Sequence, residues 1–185
     1  MNKMRDFPSI NASSMADIAF LLLIFFLVTT TLDMDKGISV KLPDWNITPT
    51  TTPIHQRNIL EILVNGQNEL LVEGQLTALE DLQIKAIQFI DNNGKRSCSY
   101  CKGNGSSNSS DHPAKAIISL SSHPQTDYNT YIQVYDQLLM AYHTLKNDIS
   151  NQQYQLEYKA LRPEQKKIIE KMYPIMISEN LPNDI

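Results

Sequence analysis

The chain has 185 residues, 16 Lys and Arg against 20 Asp and Glu, and a formal net charge of −4. It has no basic stripe, and a chain with more acid than base lacks the electrostatic footprint of nucleic-acid binding. Two cysteines are too few for a disulfide scaffold. The mean hydropathy of −0.29 is that of a soluble protein, but the average hides one dense apolar stretch at 15–32.

Residues 18–32, Ile-Ala-Phe-Leu-Leu-Leu-Ile-Phe-Phe-Leu-Val-Thr-Thr-Thr-Leu, carry no charge. With residues 12–16 and Asp17 they give roughly 21 residues, enough to cross about 30 Å of hydrocarbon as a helix. A lone segment in lipid must be helical, because nothing else satisfies its backbone and one strand cannot close a barrel. Lys3 and Arg5 precede the segment, while Asp33 and Asp35 follow it. The short basic tail is expected to stay in the cytoplasm and everything after Asp33 to lie outside. A cleaved secretory signal is the rival reading. Against it stand the length of the apolar run, the lack of an A-x-A site after it, and an acid inside it.

That acid is Asp17. A carboxylate within a spanning helix costs about 2.5–3.5 kcal/mol at the centre on insertion scales, and such residues face a partner helix or an ion path. Desolvation favours its neutral form, which suits proton exchange. The plain alternative is a solvated helix-start residue at the membrane boundary, beside Ser13 and Ser14. Phe20, Leu21, Ile24, Val28 and Thr31 lie three, four, seven, eleven and fourteen residues on, and share the Asp17 face of a helix. That stripe reads as a surface buried in a partner; a helix apolar all round has no such preference. The residues alone leave both pairs of readings open.

Residues 33–57 form an expected linker rich in Pro, Thr and Asn, with Trp45 as a surface anchor or a domain contact. Residues 58–64 then read as a strand, Asn65-Gly66 as a hairpin turn and 70–73 as the return strand. Thr77-Ala-Leu-Glu80 has the pattern of a capping box, opening a helix whose apolar face is Leu79, Leu82, Ala86, Phe89 and Ile90. Residues 92–113 are a low-complexity insertion of Gly, Ser and Asn. Within it, Cys98 and Cys101 read first as a local disulfide, second as free thiols, and third as part of a metal site with His112 and His123, whose spacing fits no common ligand pattern. Residues 114–120 are the next strand. Asp127 is placed to cap a helix with the stripe Tyr128, Tyr131, Ile132, Tyr135, Leu138, Leu139, Tyr142 and Leu145, read as core in preference to a binding surface. Residues 154–173 read as helical, with Pro163 in a first turn, and 174–178 as a displaced last strand.

The expected organisation is a cytoplasmic tail at 1–14, a transmembrane helix at 15–32, the linker at 33–57, a domain at 58–150, and an extension at 151–185. The domain is an α+β unit of order ββαβα, a mixed sheet with helices on one face. No nucleotide-binding glycine loop, H-E-x-x-H or G-x-S-x-G occurs, so no enzyme, cofactor or metal is expected.

The run Pro8-Ser-Ile-Asn-Ala-Ser-Ser-Met-Ala-Asp17-Ile-Ala-Phe resembles the start of the ExbD/TolR biopolymer-transport proteins, whose "I-n-x-x-x-x-x-D" pattern is met by Ile10, Asn11 and Asp17. Gly37-Ile-Ser-Val-Lys-Leu-Pro43 resembles that family's linker. Ala116-Ile-Ile-Ser-Leu120 resembles a strand of it, and 126–138 a helix of it, with Tyr128 and Asp136 on patterned positions. The likeness covers roughly 1–147 with gaps. It implies a bacterial inner-membrane subunit, two copies of which sit inside ExbB- or TolQ-like multi-span subunits. Asp17 would be protonated and released in turn as protons cross, driving a TonB- or TolA-like protein across the periplasm. A TolR-like role in envelope upkeep, a membrane-anchored periplasmic binding module, and a redox or metal protein built on Cys98 and Cys101 are the competing readings.

Overall fold

The computed structural model describes residues 12–29 and 54–180. They fall in two compact units divided after Thr50. In the first, helix α1 spans Ala12–Thr29. Its side chains are apolar from Ile18 to Val28 and its only carboxylate is Asp17; the Thr29 hydroxyl donates to the Phe25 carbonyl at 2.8 Å, so this polar group is satisfied within the helix. Thr31, Trp45 and the segment 37–43 lie outside the described residues.

The second unit is built on a five-stranded sheet of order β3-β2-β1-β4-β5. Strand β1 is Ile59–Val64, β2 Leu70–Val72, β3 Gln75–Leu76, β4 Ile117–Ser122 and β5 Ile177–Asn180. Strands β1, β2 and β3 pair antiparallel, while β4 runs parallel to both β1 and β5, which makes the sheet mixed. Leu60, Ile62 and Val64 of β1 and Ile118 and Leu120 of β4 point into the core. Glu61 and Leu63 face the other way and are exposed, so one face of the sheet is covered and the other is not. Helix α2, Leu79–Ile90, and helix α3, Tyr128–Tyr154, pack against one another and supply the covering layer, with Leu82, Ala86, Phe89 and Ile90 from the first and Val134, Leu138, Tyr142 and Leu145 from the second. The expected α+β class and sheet type are those observed.

Several local details differ from expectation, each for a visible reason. Asn65-Gly66 is no two-residue turn: Val64 pairs with Leu70, leaving the five-residue loop 65–69. The Asn65 side-chain oxygen accepts from the backbone N–H of Gln67 and Glu69, and the left-handed residue is Asn68 (φ 64°). The Asn side chain has replaced backbone bonds that a tighter turn would make. The return strand stops at Val72, because Glu73 and Gly74 both take positive φ and reverse the chain into the unanticipated β3. The Thr77 capping box does not form. The hydroxyl instead donates to the Gln75 carbonyl and accepts from Lys85, and Ala78 takes the cap position without a side-chain bond. Asp127 does sit at the α3 cap position, yet its carboxylate accepts from the Asn68 amide at 2.7 Å and caps no helical N–H. This amide–carboxylate bond ties the 65–69 loop to the start of α3.

Beyond α3 the chain is only partly helical. Gln155 ends α3 in the left-handed region (φ 54°), a 3-10 turn follows at Tyr158–Ala160, and helix α4 runs Pro163–Met172 with its proline in the first turn. The last strand begins at Ile177, three residues later than expected. Leu161, Ile169 and Tyr173 are buried in the same core as the sheet. The expected domain boundary at 150 therefore falls inside α3, and the segment after it is a folded part of the unit.

Candidate functional site

Helix α1 forms from a run of residues whose side chains offer no alternative backbone partner, since from Ile18 to Val28 none is polar. Asp17 lies in its second turn, five residues after the first helical residue, or about 7.5 Å along the axis at the α-helical rise. Phe20, Leu21, Ile24 and Val28 follow on the same side of the helix. None of these is buried by the chain itself. Among the described residues Asp17 has neither ion-pair nor hydrogen-bond partner. The helix is long and apolar enough to cross a membrane. An isolated acid on such a helix must be solvated, neutral or partnered from outside the chain, and each of those states differs in charge or contacts.

The insertion at 92–113 is a built structure. Cys98 and Cys101 are joined in a disulfide with Cα atoms 5.6 Å apart. The buried Asn92 amide organises the loop: its nitrogen donates to the carbonyls of Ser106 and Ser110, and its oxygen accepts from Ser106 N–H. Gly103 is required there, since a Cβ at that position would run into the Asp91 carbonyl. The loop is fastened to both ends of the domain. Tyr173 donates from its hydroxyl to Asp91 at 2.7 Å, Asp91 accepts from Lys102 N–H at 2.8 Å, and Tyr100 donates to the Met172 carbonyl while stacking edge-on against Tyr173. Burial, then the Asp91 bond, push the Tyr173 hydroxyl far up. At the other end, buried Asp111 pairs with Arg57 at 2.7 Å and Lys95 at 3.4 Å, and its N–H donates to the Asn58 oxygen. Burial alone would raise the Asp111 pKa; Lys95 and Arg57 outweigh it and hold the group below the usual carboxylate value.

His112 and His123 are not brought together with the cysteines. Each accepts a backbone N–H two residues ahead, from Ala114 and Gln125, and among the described residues no group of three metal-ligating side chains is assembled. The tyrosine stripe of α3 divides: Tyr135 and Tyr142 are buried core, while Tyr128 is exposed. Burial pushes the Tyr142 hydroxyl up to about 12. Sequence reasoning missed Asn92, Asp111 and Tyr173 because isolated polar or aromatic residues in a Gly-Ser-Asn segment or a C-terminal extension carry no periodic signal. It also missed Lys146, a buried cation in the middle of α3.

No curated protein sequence matches the chain. The family model for biopolymer transport protein ExbD/TolR matches residues 3–154, which takes in Asp17, the whole of α1, and the domain through the end of α3. With a match over most of its length, the chain belongs to the ExbD/TolR family of biopolymer transport proteins.

Proposed function

We propose that this chain is the proton-carrying subunit of an inner-membrane motor of the ExbB–ExbD–TonB kind, which energises transport across the outer membrane. The observation that carries the reading is a single carboxylate, Asp17, on an otherwise uncharged helix within the region matched to the family. In this reading the tail before α1 is cytoplasmic, on the strength of Lys3 and Arg5, and the sheet domain is periplasmic, where a disulfide is at home. Two copies of α1 stand inside a ring of ExbB- or TolQ-like subunits, with Phe20, Leu21, Ile24 and Val28 packed beside Asp17.

Mechanistically, a carboxylate can cycle if it is neutral where the partner interface is dry and ionised where water reaches it. One charge crossing 100 mV releases roughly 2.3 kcal/mol, so a few protons suffice to shift a small helix bundle between two packings. The domain then passes the motion to a TonB- or TolA-like protein.

Asp17→Asn tests the reading, since it keeps shape and hydrogen-bonding capacity but fixes the neutral state. Complex assembly should be preserved, because a desolvation cost has been removed, while energy-dependent uptake should be lost. Assembly and uptake both at wild-type level would end the ExbB–ExbD–TonB reading. An Asp17→Asn strain that keeps uptake but loses detergent resistance of its envelope would favour the TolR-like role.

A further inference from the structure

The polar groups of α1 are unevenly placed around Asp17. Toward the C-terminus the next polar side chain on the helix is Thr29, twelve residues on, or roughly 18 Å along the axis at the α-helical rise. Its hydroxyl is already given to the Phe25 carbonyl. Toward the N-terminus, Ser13 and Ser14 lie four and three residues before Asp17. Residues at those spacings share a helix face, with Cβ atoms about 5–6 Å apart. The Cα–Cβ bonds of a helix tilt toward its N-terminus, which aims the Asp17 side chain back over the turn that carries the two serines. Ser13 has an interaction of its own. Among the described residues the Ser14 hydroxyl makes no hydrogen bond.

We propose that Ser14 is the proton relay of Asp17: its hydroxyl passes the proton between the carboxyl group and water at the N-terminal end of α1. The inference rests on the proton-carrying reading of Asp17. A hydroxyl suits the task because it donates and accepts at once. As Asp17 releases, its O–H proton passes to the Ser14 oxygen while the proton of Ser14 passes to a water on that side. One O–H bond breaks on the carboxyl group and one on the serine; one forms on the serine and one on the water. The carboxylate is left ionised, the water becomes hydronium, and the serine is unchanged. The other direction offers no such step. Phe20, Leu21 and Ile24 occupy the same face beyond Asp17, and no side chain from Ile18 to Val28 can take or give a proton. This chain therefore furnishes the path to one side only, and the path to the other side must be lined by the surrounding subunits. In the proposed orientation Ser14 serves the cytoplasmic exit.

The test is proton flux through the full chain assembled with its multi-span partner, reconstituted in liposomes under an imposed gradient and counted per assembled complex. Ser14→Thr and Ser14→Val introduce side chains of one shape that differ by the hydroxyl. Ser14→Thr should conduct at about the wild-type rate. Ser14→Val should lose about tenfold to a hundredfold, reaching the low end of what a positioned proton-transfer group contributes. Its flux should also drop further than that of wild type when D2O replaces water, because release of the proton has become the slow step. Asp17→Asn separates the relay from the reading it rests on. Flux that survives in Asp17→Asn removes the proton carrier and the relay with it, whereas a dead Asp17→Asn beside a fully active Ser14→Val removes the relay alone. Equal losses in Ser14→Thr and Ser14→Val, or a loss in Ser14→Val with the isotope effect of wild type, make Ser14 a packing residue and overturn the proposal as well.

Discussion

Helix α1 has 18 residues and buries none of them; helix α3 has 27 and buries one face. The difference lies in arrangement more than in length. In α1 apolar side chains occupy every direction, so no single face can be matched by a sheet, and the only charged residue is Asp17. In α3 the buried residues recur at Val134, Leu138, Ala141, Tyr142, Leu145 and Ile149, the three- and four-residue spacing of one helical stripe. The stripe finds its partners within the chain, in β1, β4 and α2. The partners of α1 must come from lipid or other chains. Substitutions in α3 should therefore be read in folding, and substitutions in α1 in insertion, assembly and function.

The strongest way to break that contrast is a matched pair of leucine deletions. Leu138 is fully buried, so Leu138→Ala should lower the stability of the folded domain by about 2–5 kcal/mol, through lost burial and the cavity left behind. Leu22→Ala removes the same atoms from α1 and should leave the melting of the domain where it was. Thermal unfolding of the full chain in detergent, followed by near-ultraviolet circular dichroism of the tyrosines, compares them directly. Equal shifts from the two substitutions would show that α1 is part of the same cooperative unit.

A smaller effect is expected where the domain is held by a covalent bond. Replacing Cys98 and Cys101 together by serine opens a four-residue ring, for which loop-closure entropy gives about 2 kcal/mol, a model-dependent figure. Tyr100 lies inside that ring and Lys102 just after it, and both hold the Asp91–Tyr173 contact. The loss should therefore appear beyond the loop, as faster amide exchange in 173–180, with β1 and β4 slower to respond. Unchanged exchange in that segment would mean that the disulfide supports only its own loop.

What could be read from the sequence follows the same division. Asp17 stood out because an acid in an apolar run is rare, and the strands and helices of the sheet domain showed themselves by period. The 65–69 loop did not, because the Asn65 side chain performs work that turn rules assign to backbone. Thr77 and Asp127 had the right residue type at a helix start, but Lys85 and Asn68 competed for their oxygens, and those competitors are distant in sequence. The 92–113 segment read only as a low-complexity insertion because its composition is Gly, Ser and Asn. Its order depends on a buried amide, Asn92, and a buried ion pair, Asp111 with Arg57, and neither kind of interaction leaves a repeating pattern. Lys146 was invisible for a similar reason: its burial is created by Tyr158 and the residues around it, which arrive only after α3 has ended.

The smallest expected effect is on pH, and it separates the two ends of the insertion. Asp111 has its folded pKa held below the ordinary carboxylate value of 3.8 by Lys95 and Arg57, against the opposing effect of burial. A depressed carboxylate contributes stability above its unfolded pKa, and that contribution is lost as pH falls through the folded value. His112 is also depressed from 6.5, first by burial and then by Lys115. The folded state thus binds its proton less readily than the unfolded chain does, and stability is present above pH 6.5 and declines as pH falls below it. Acid titration should therefore show two separate losses, one starting near pH 6.5 and one below pH 3.8. His112→Gln should remove the first and leave the second. Asp111→Asn should flatten the second, because the variant has no proton to take up, at the cost of a lower plateau where Arg57 and Lys95 have lost their partner. The measurement is the melting temperature of each variant across that range. Acid slopes that stay parallel to wild type in Asp111→Asn would place the acid sensitivity elsewhere, and would leave the Asp111 ion pair as a packing contact that does not respond to pH.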